Sequence, residues 1–108
     1  MSNLEDVIER EQLTPIASIG GDLHDWVQMD VWYSEEERQF FWLGDSGCSC
    51  NFFGMGVYSL DSLENGSKDD ALRSLHRFTE NYNRFSRRIY PEHQLRAMEA
   101  IKNVQVPA

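Results

Sequence analysis

Trp26-Val-Gln-Met-Asp-Val-Trp-Tyr33, then Ser34-Glu-Glu-Glu37, then Arg38-Gln-Phe-Phe-Trp-Leu43, is the stretch that decides the fold. Val27, Met29, Val31 and Tyr33 alternate with Trp26, Gln28, Asp30 and Trp32. That is the period of two expected of a strand, whose successive side chains point to opposite faces. β-branched and aromatic residues dominate both apolar runs, and these types fit a pleated surface. The intervening Ser-Glu-Glu-Glu reads as a polar turn, so the pattern predicts an antiparallel hairpin over 26–33 and 38–43. In the second strand Phe40 and Trp42 face one way, Phe41 and Leu43 the other.

C-terminal to the hairpin the period changes. Ala71, Leu72, Leu75, Phe78, Tyr82 and Phe85 recur at helical spacing, which predicts a helix over about 68–85. Ser67 is placed to cap its N-terminus, and Asp70 lies three residues on, where a capping box carries its acid. Pro91 suits the first turn of another helix, with Leu95, Met98 and Ile101 as its apolar stripe. Residues 48–53 read as a short third strand or a structured loop, and 61–63 as a single helical turn. The fold class expected is α+β: a small antiparallel sheet led by an aromatic-rich hairpin, followed by two C-terminal helices packed on one face.

Working outward to the N-terminus, Leu4, Val7 and Ile8 form a short amphipathic stripe, and Pro15 and Gly20-Gly21 break the pattern between that stripe and the hairpin. The chain therefore divides into residues 1–22, an N-terminal arm or short helix, and residues 23–108, a single α+β domain. At 108 residues this is the size of one domain with a real core. The start Met-Ser-Asn-Leu-Glu-Asp has neither the basic residues nor the apolar run of a secretory signal. No stretch approaches the ~20 apolar residues of a membrane span. The reading is a cytoplasmic protein with no membrane association.

The formal charge is −8. Residues 1–64 hold 13 acidic side chains against Arg10 and Arg38, a net −11, whereas residues 65–108 hold 5 acidic and 8 basic, a net +3. Affinity for a nucleic-acid backbone comes from Lys and Arg displacing counterions, so this charge disfavours nucleic acid as a partner. It suits docking on a basic protein surface, or on a second copy.

Cys48 and Cys50 are the two cysteines. In a strand they would share a face and could offer two thiolates to zinc, with His24, His76 or His93 completing a tetrahedral site. No second pair of ligands at zinc spacing exists, so small buried or turn residues remain the plainer reading. The aromatic residues of 26–58 outnumber what one face of a small sheet can bury. One set is expected on the helices. The other is covered by the N-terminal arm or left exposed as an interface. The residues expected at such an interface are Trp26, Trp32, Phe40 and Trp42 with Glu35, Glu36 and Glu37. A homodimer through this surface, with Trp32 or Trp42 near its centre, is the simplest way to hide it.

Several of these segments together resemble a known group. Trp32-Tyr33, the polar turn, Phe40-Phe41-Trp42, Gly47-Cys-Ser-Cys-Asn51 and Ser59-Leu60-x-x-Leu63 ahead of the Ser67 helix look like small uncharacterised proteins encoded by phages of actinobacteria. The likeness spans roughly residues 26–78. It implies a phage product acting in the cytoplasm of a bacterial host, and it brings no established activity with it.

The function expected is therefore a phage-encoded, non-catalytic interaction protein, one version being an acidic inhibitor of a host or defence protein. The alternative is a small zinc- or thiol-dependent protein centred on Cys48 and Cys50. A third reading is a weak nucleic-acid-binding module using Arg73, Arg77 and Arg84 on the helical face. The balance leans against an enzyme, and no cofactor is expected beyond that zinc.

Overall fold

The computed structural model describes residues 3–21, 26–47, 50–85 and 89–107. Its elements in chain order are α1 (Asn3–Arg10), β1 (Thr14–Gly21), β2 (Trp26–Ser34), β3 (Gln39–Gly47), the 3-10 turn Leu60–Ser62, β4 (Glu64–Gly66), α2 (Lys68–Phe85) and α3 (Pro91–Lys102). The four strands form one antiparallel sheet in the order β1-β2-β3-β4, each paired with its sequence neighbour. Two helices come after the sheet, so the α+β arrangement expected from the alternation and the helical spacing is what the chain adopts.

The hairpin sets the register. Tyr33 pairs with Phe40, Trp32 with Phe41 and Val31 with Trp42. Opposed residues share a face, so adjacent pairs alternate between the two sides of the sheet. The turn is the four-residue loop 35–38, in which the buried Ser34 hydroxyl accepts the Glu37 N–H at 3.0 Å. Arg38 closes it at φ +57°, the left-handed conformation a tight reversal requires.

Each face has its own core. On one, Val27, Met29, Val31, Tyr33, Phe40 and Trp42 meet Ala71 and Leu75 of α2, Ala97 and Ile101 of α3, and Ile89. On the other, Trp32 and Phe41 meet Leu4 and Val7 of α1, Leu13, Val57 and Leu63. The second core corrects the expectation that one aromatic face is left over. Trp32, Phe40 and Trp42 are each less than 5% exposed, buried within a single chain. The reason is that α1 and the irregular segment 50–63 together cover the face opposite the helices. The arm expected as one possible cover supplies only part of it.

β1 is the element that the sequence pattern does not announce. Pro15 and the glycine pair read as breakers, yet Thr14–Gly21 pairs with β2 along its length. β1 is an edge strand, where proline is tolerated, and the ladder accommodates it with a bulge between Pro15 and Ala17. Of the arm or short helix expected over 1–22, the described part 3–21 holds a short helix, α1, which packs into the second core, and a strand, β1, which belongs to the sheet.

α2 begins as a capping box. The Ser67 hydroxyl accepts the Asp70 N–H at 3.2 Å, and the Asp70 carboxylate accepts the Ser67 N–H at 3.0 Å. Leu75 is fully buried, while Leu72 and Phe78 are half-buried. The apolar stripe of α3 differs from expectation. Leu95 points outward at 60% exposed, and the buried positions are Ala97 and Ile101. Met98 is half-buried, on the flank that meets the core. Lys68 ties the two helices together by donating to the carbonyls of Lys102 and Val104 at 2.8 and 2.7 Å. A cation is thereby placed at the negative end of α3. Of the expected third strand, Cys48 and Ser49 lie outside the described residues, and 50–53 form no strand.

Candidate interaction surface

The segment 50–59 is irregular but held at many points. Trp26 Nε1 donates to the Asn51 carbonyl at 3.2 Å, and the Phe53 ring meets Trp26 edge-on at 6.4 Å. Asp45 accepts the Ser46 N–H at 2.8 Å and the Gly54 N–H at 3.1 Å. Gly54 sits at φ +75° against the Leu4 side chain of α1, a place where a Cβ would collide. Two reverse turns run in succession, with the Met55 N–H reaching the Phe52 carbonyl and the Val57 N–H reaching that of Gly54. Arg10 then donates to the Tyr58 carbonyl at 3.3 Å.

These anchors use Phe53, Val57 and Leu60 to fill the second core and turn the alternate residues outward. Phe52 is 51% exposed, Met55 42% and Tyr58 68%. Phe52 and Met55 flank a cavity of about 170 Å³ that Trp26, Asp45 and Asn51 also line. The exposed carboxylates of Glu5, Asp6 and Glu9 lie on α1 beside this segment, and Asp61 comes just after it. The result is an apolar ridge set within an acidic layer. Glu35, Glu36 and Glu37 are exposed at the hairpin tip.

The helix layer is mixed in charge, with six basic and five acidic side chains in α2 and α3. Arg73 and Arg77 flank a groove floored by Leu72 and Met98, with His76 and Glu80 on its wall. Arg73 is paired with Asp70. The Asp70 carboxyl is held below the usual carboxylate range, first by the Ser67 backbone N–H and then by Arg73. Among the described residues, Glu5, Asp6, Glu9 and Asp61 thus lie on the α1 side of the sheet, opposite the mixed charge of α2 and α3.

The residues proposed from sequence fall in different places. Trp26 is half-buried and serves to fix Asn51, and Trp32, Phe40 and Trp42 are core. Trp42 also donates from Nε1 to Glu64 at 2.9 Å, which fastens β4 to β3. Cys50 is exposed, and its thiol donates to Asn51 Oδ1 at 3.7 Å. Cys48 and His24 lie outside the described residues. His76 belongs to the helix layer, 3.4 Å from Gln94 and 3.5 Å from Glu80, whereas Cys50 opens the segment that covers the other face. The structure does not bring these two together, and among the described residues no three metal-binding side chains converge. Phe52 and Tyr58 belong to the aromatic surplus of 26–58 but were not singled out as interface residues, and Met55 was passed over. Their signal is faint, because an aromatic residue in an irregular segment carries no period to assign its face.

No family model, curated protein or solved structure matches this chain. No helix among the described residues is long and apolar enough to cross a membrane.

Proposed function

We propose that this chain is a non-catalytic interaction protein that presents its acidic layer to a basic surface of a partner protein. The observation that carries the reading is the ridge of Phe52, Met55 and Tyr58 held outward among the carboxylates of α1, Asp45 and Asp61. Such a surface has the two parts of a protein-binding site. Aromatic and Met side chains supply anchors that bury well, and the charges around them set partner choice and encounter rate. The resemblance of residues 26–78 to actinobacteriophage proteins supports a phage product working inside its host. A basic groove that otherwise holds nucleic acid is the kind of host or defence target an acidic inhibitor would block.

The test compares two forms of the protein as bait in an actinobacterial lysate. Wild type should retain a basic partner, less strongly as salt rises. The Phe52→Ser/Tyr58→Ser variant, shown by circular dichroism to be folded, should lose it. No partner at low or physiological salt, or partners held equally by both baits, sinks the reading.

A further inference from the structure

Asp45 is half-buried, and backbone holds its carboxylate on both sides. One oxygen accepts the Ser46 N–H and the other the Gly54 N–H. Each oxygen keeps a lone pair to offer. Among the described residues no Lys, Arg or His pairs with it. It lines the cavity of about 170 Å³ together with Trp26, Asn51, Phe52, Met55 and Gly56. The Trp26 ring is set in place before anything binds. Its Nε1–H is bonded to the Asn51 carbonyl, and Phe53 meets it edge-on. Gly47 makes room for the ring, since a Cβ there would lie 2.7 Å from Trp26 Cζ2.

A carboxylate without a cation, in a small cavity walled by aromatic and Met side chains, selects its occupant. The cavity is smaller than the ~300 Å³ of ordinary small-molecule sites, so one side chain fills it. A metal ion wants more donors than one carboxylate, and among the described residues no three metal-binding side chains converge. A lysine ammonium is compact and strongly hydrated, and entering costs it that water. The guanidinium of arginine is weakly hydrated, forks onto carboxylates and stacks on aromatic rings. Its two parallel N–H bonds match the one lone pair left on each Asp45 oxygen.

We propose that this cavity receives an arginine side chain of the partner protein, with the guanidinium forked on Asp45 and lying against Trp26 and Phe52. Gly56 lines the exposed side of the cavity, where an added Cβ meets nothing within 4 Å, and arginine can enter there. The arginine seat rests on the reading of the ridge as a docking surface for a basic partner. It narrows that partner's chemistry: the residue seated beside the ridge is arginine, and lysine does not replace it.

NMR titration of the full chain with N-acetyl-arginine methylamide tests it. The expected result is a saturating shift of the Trp26 indole N–H and of the Ser46 and Gly54 amides. The lysine counterpart should bind about tenfold more weakly. The citrulline counterpart, neutral and nearly the same shape, should give no saturating shift. Asp45→Asn should weaken arginine binding by about tenfold or more. Because Asp45 also anchors Gly54, Gly56→Lys is the second variant. It keeps both backbone bonds of Asp45 and sets an ammonium beside the carboxylate, so it should bind arginine more weakly than the uncharged Gly56→Gln. Equal binding of the arginine, lysine and citrulline compounds overturns the proposal. So do shifts that never saturate, or arginine binding unchanged in Asp45→Asn and Gly56→Lys. Free arginine binding more tightly than the blocked form overturns it too, since the site would then serve the amino acid. The seat and the ridge can fail separately. A partner held through Phe52 and Tyr58 but indifferent to Asp45→Asn and Gly56→Lys removes the seat and leaves the ridge. Saturation by N-acetyl-arginine methylamide with no partner recovered supports the seat and removes the ridge reading.

Discussion

Phe40 and Phe41 are neighbours in the chain and lie in different cores. Phe40 faces α2 and α3, two helices with regular stripes and a capping box at the first. Phe41 faces α1 and an irregular segment with a single 3-10 turn in it. Both rings are at most 3% exposed, so the two covers bury equally well. They differ in what holds them. The helical cover is fixed by backbone hydrogen bonds it makes within itself. The irregular cover is fixed from outside, by Trp26, Asp45, Arg10 and the fit of Gly54 against Leu4. A cover held by side chains is free to turn residues outward, and the ridge of Phe52, Met55 and Tyr58 arises on that side.

If the two faces are equal cores, truncating either should cost a large part of the stability. Phe41→Ala is expected to lose about 3–5 kcal/mol, and Leu75→Ala on the helical side about 2–5 kcal/mol. Urea unfolding of the two variants checks this. A loss under about 1 kcal/mol for Phe41→Ala would show that the irregular cover is not a packed core.

Gly54→Ala probes the difference between the covers. It forces a Cβ into the left-handed region and into Leu4, and should cost about 1–3 kcal/mol. Because the strain falls on the irregular side, hydrogen exchange should rise in α1 and 50–63 before it rises in α2. Uniform loosening of both faces would mean the two are not separately held.

The smallest effect expected is at the capping box. Ser67→Ala should cost about 1 kcal/mol. Asp70 adds a pH dependence with a definite sign. Its folded-state carboxyl is more acidic than in the unfolded chain, owing to the Ser67 N–H and Arg73, so its ionised form favours the folded state. That contribution is complete above the ordinary carboxylate range, about pH 4, and is lost as pH falls through the lower folded value. The difference in stability between wild type and Asp70→Asn should therefore narrow on acidification. A difference that grows below about pH 4 would reverse the assignment.

Legibility in the sequence obeys the same division between the two faces. The alternation of 26–33, the helical stripe of 71–82 and the Ser67/Asp70 pair can be read because each arises from a local period or a local hydrogen bond. β1 could not be read, since Pro15 and Gly20-Gly21 are breakers in isolation and acceptable only on an edge strand beside a partner. Leu95 misleads for a similar reason: it sits at helical spacing, but the place of α3 over the sheet edge turns Ala97 inward in its stead.

The sequence by itself determined that two aromatic sets leave the hairpin on opposite sides, because a strand must alternate. It also determined the uneven charge and the start of α2. Only the tertiary structure decided that both aromatic sets are buried, since the cover for Trp32 and Phe41 comes from segments with no period of their own. It likewise decided that the exposed aromatic surface is Phe52, Met55 and Tyr58, and not the tryptophans. Which face of an irregular segment meets the core depends on anchors dozens of residues away, such as Arg10 on Tyr58 and Trp26 on Asn51. No local pattern can encode that.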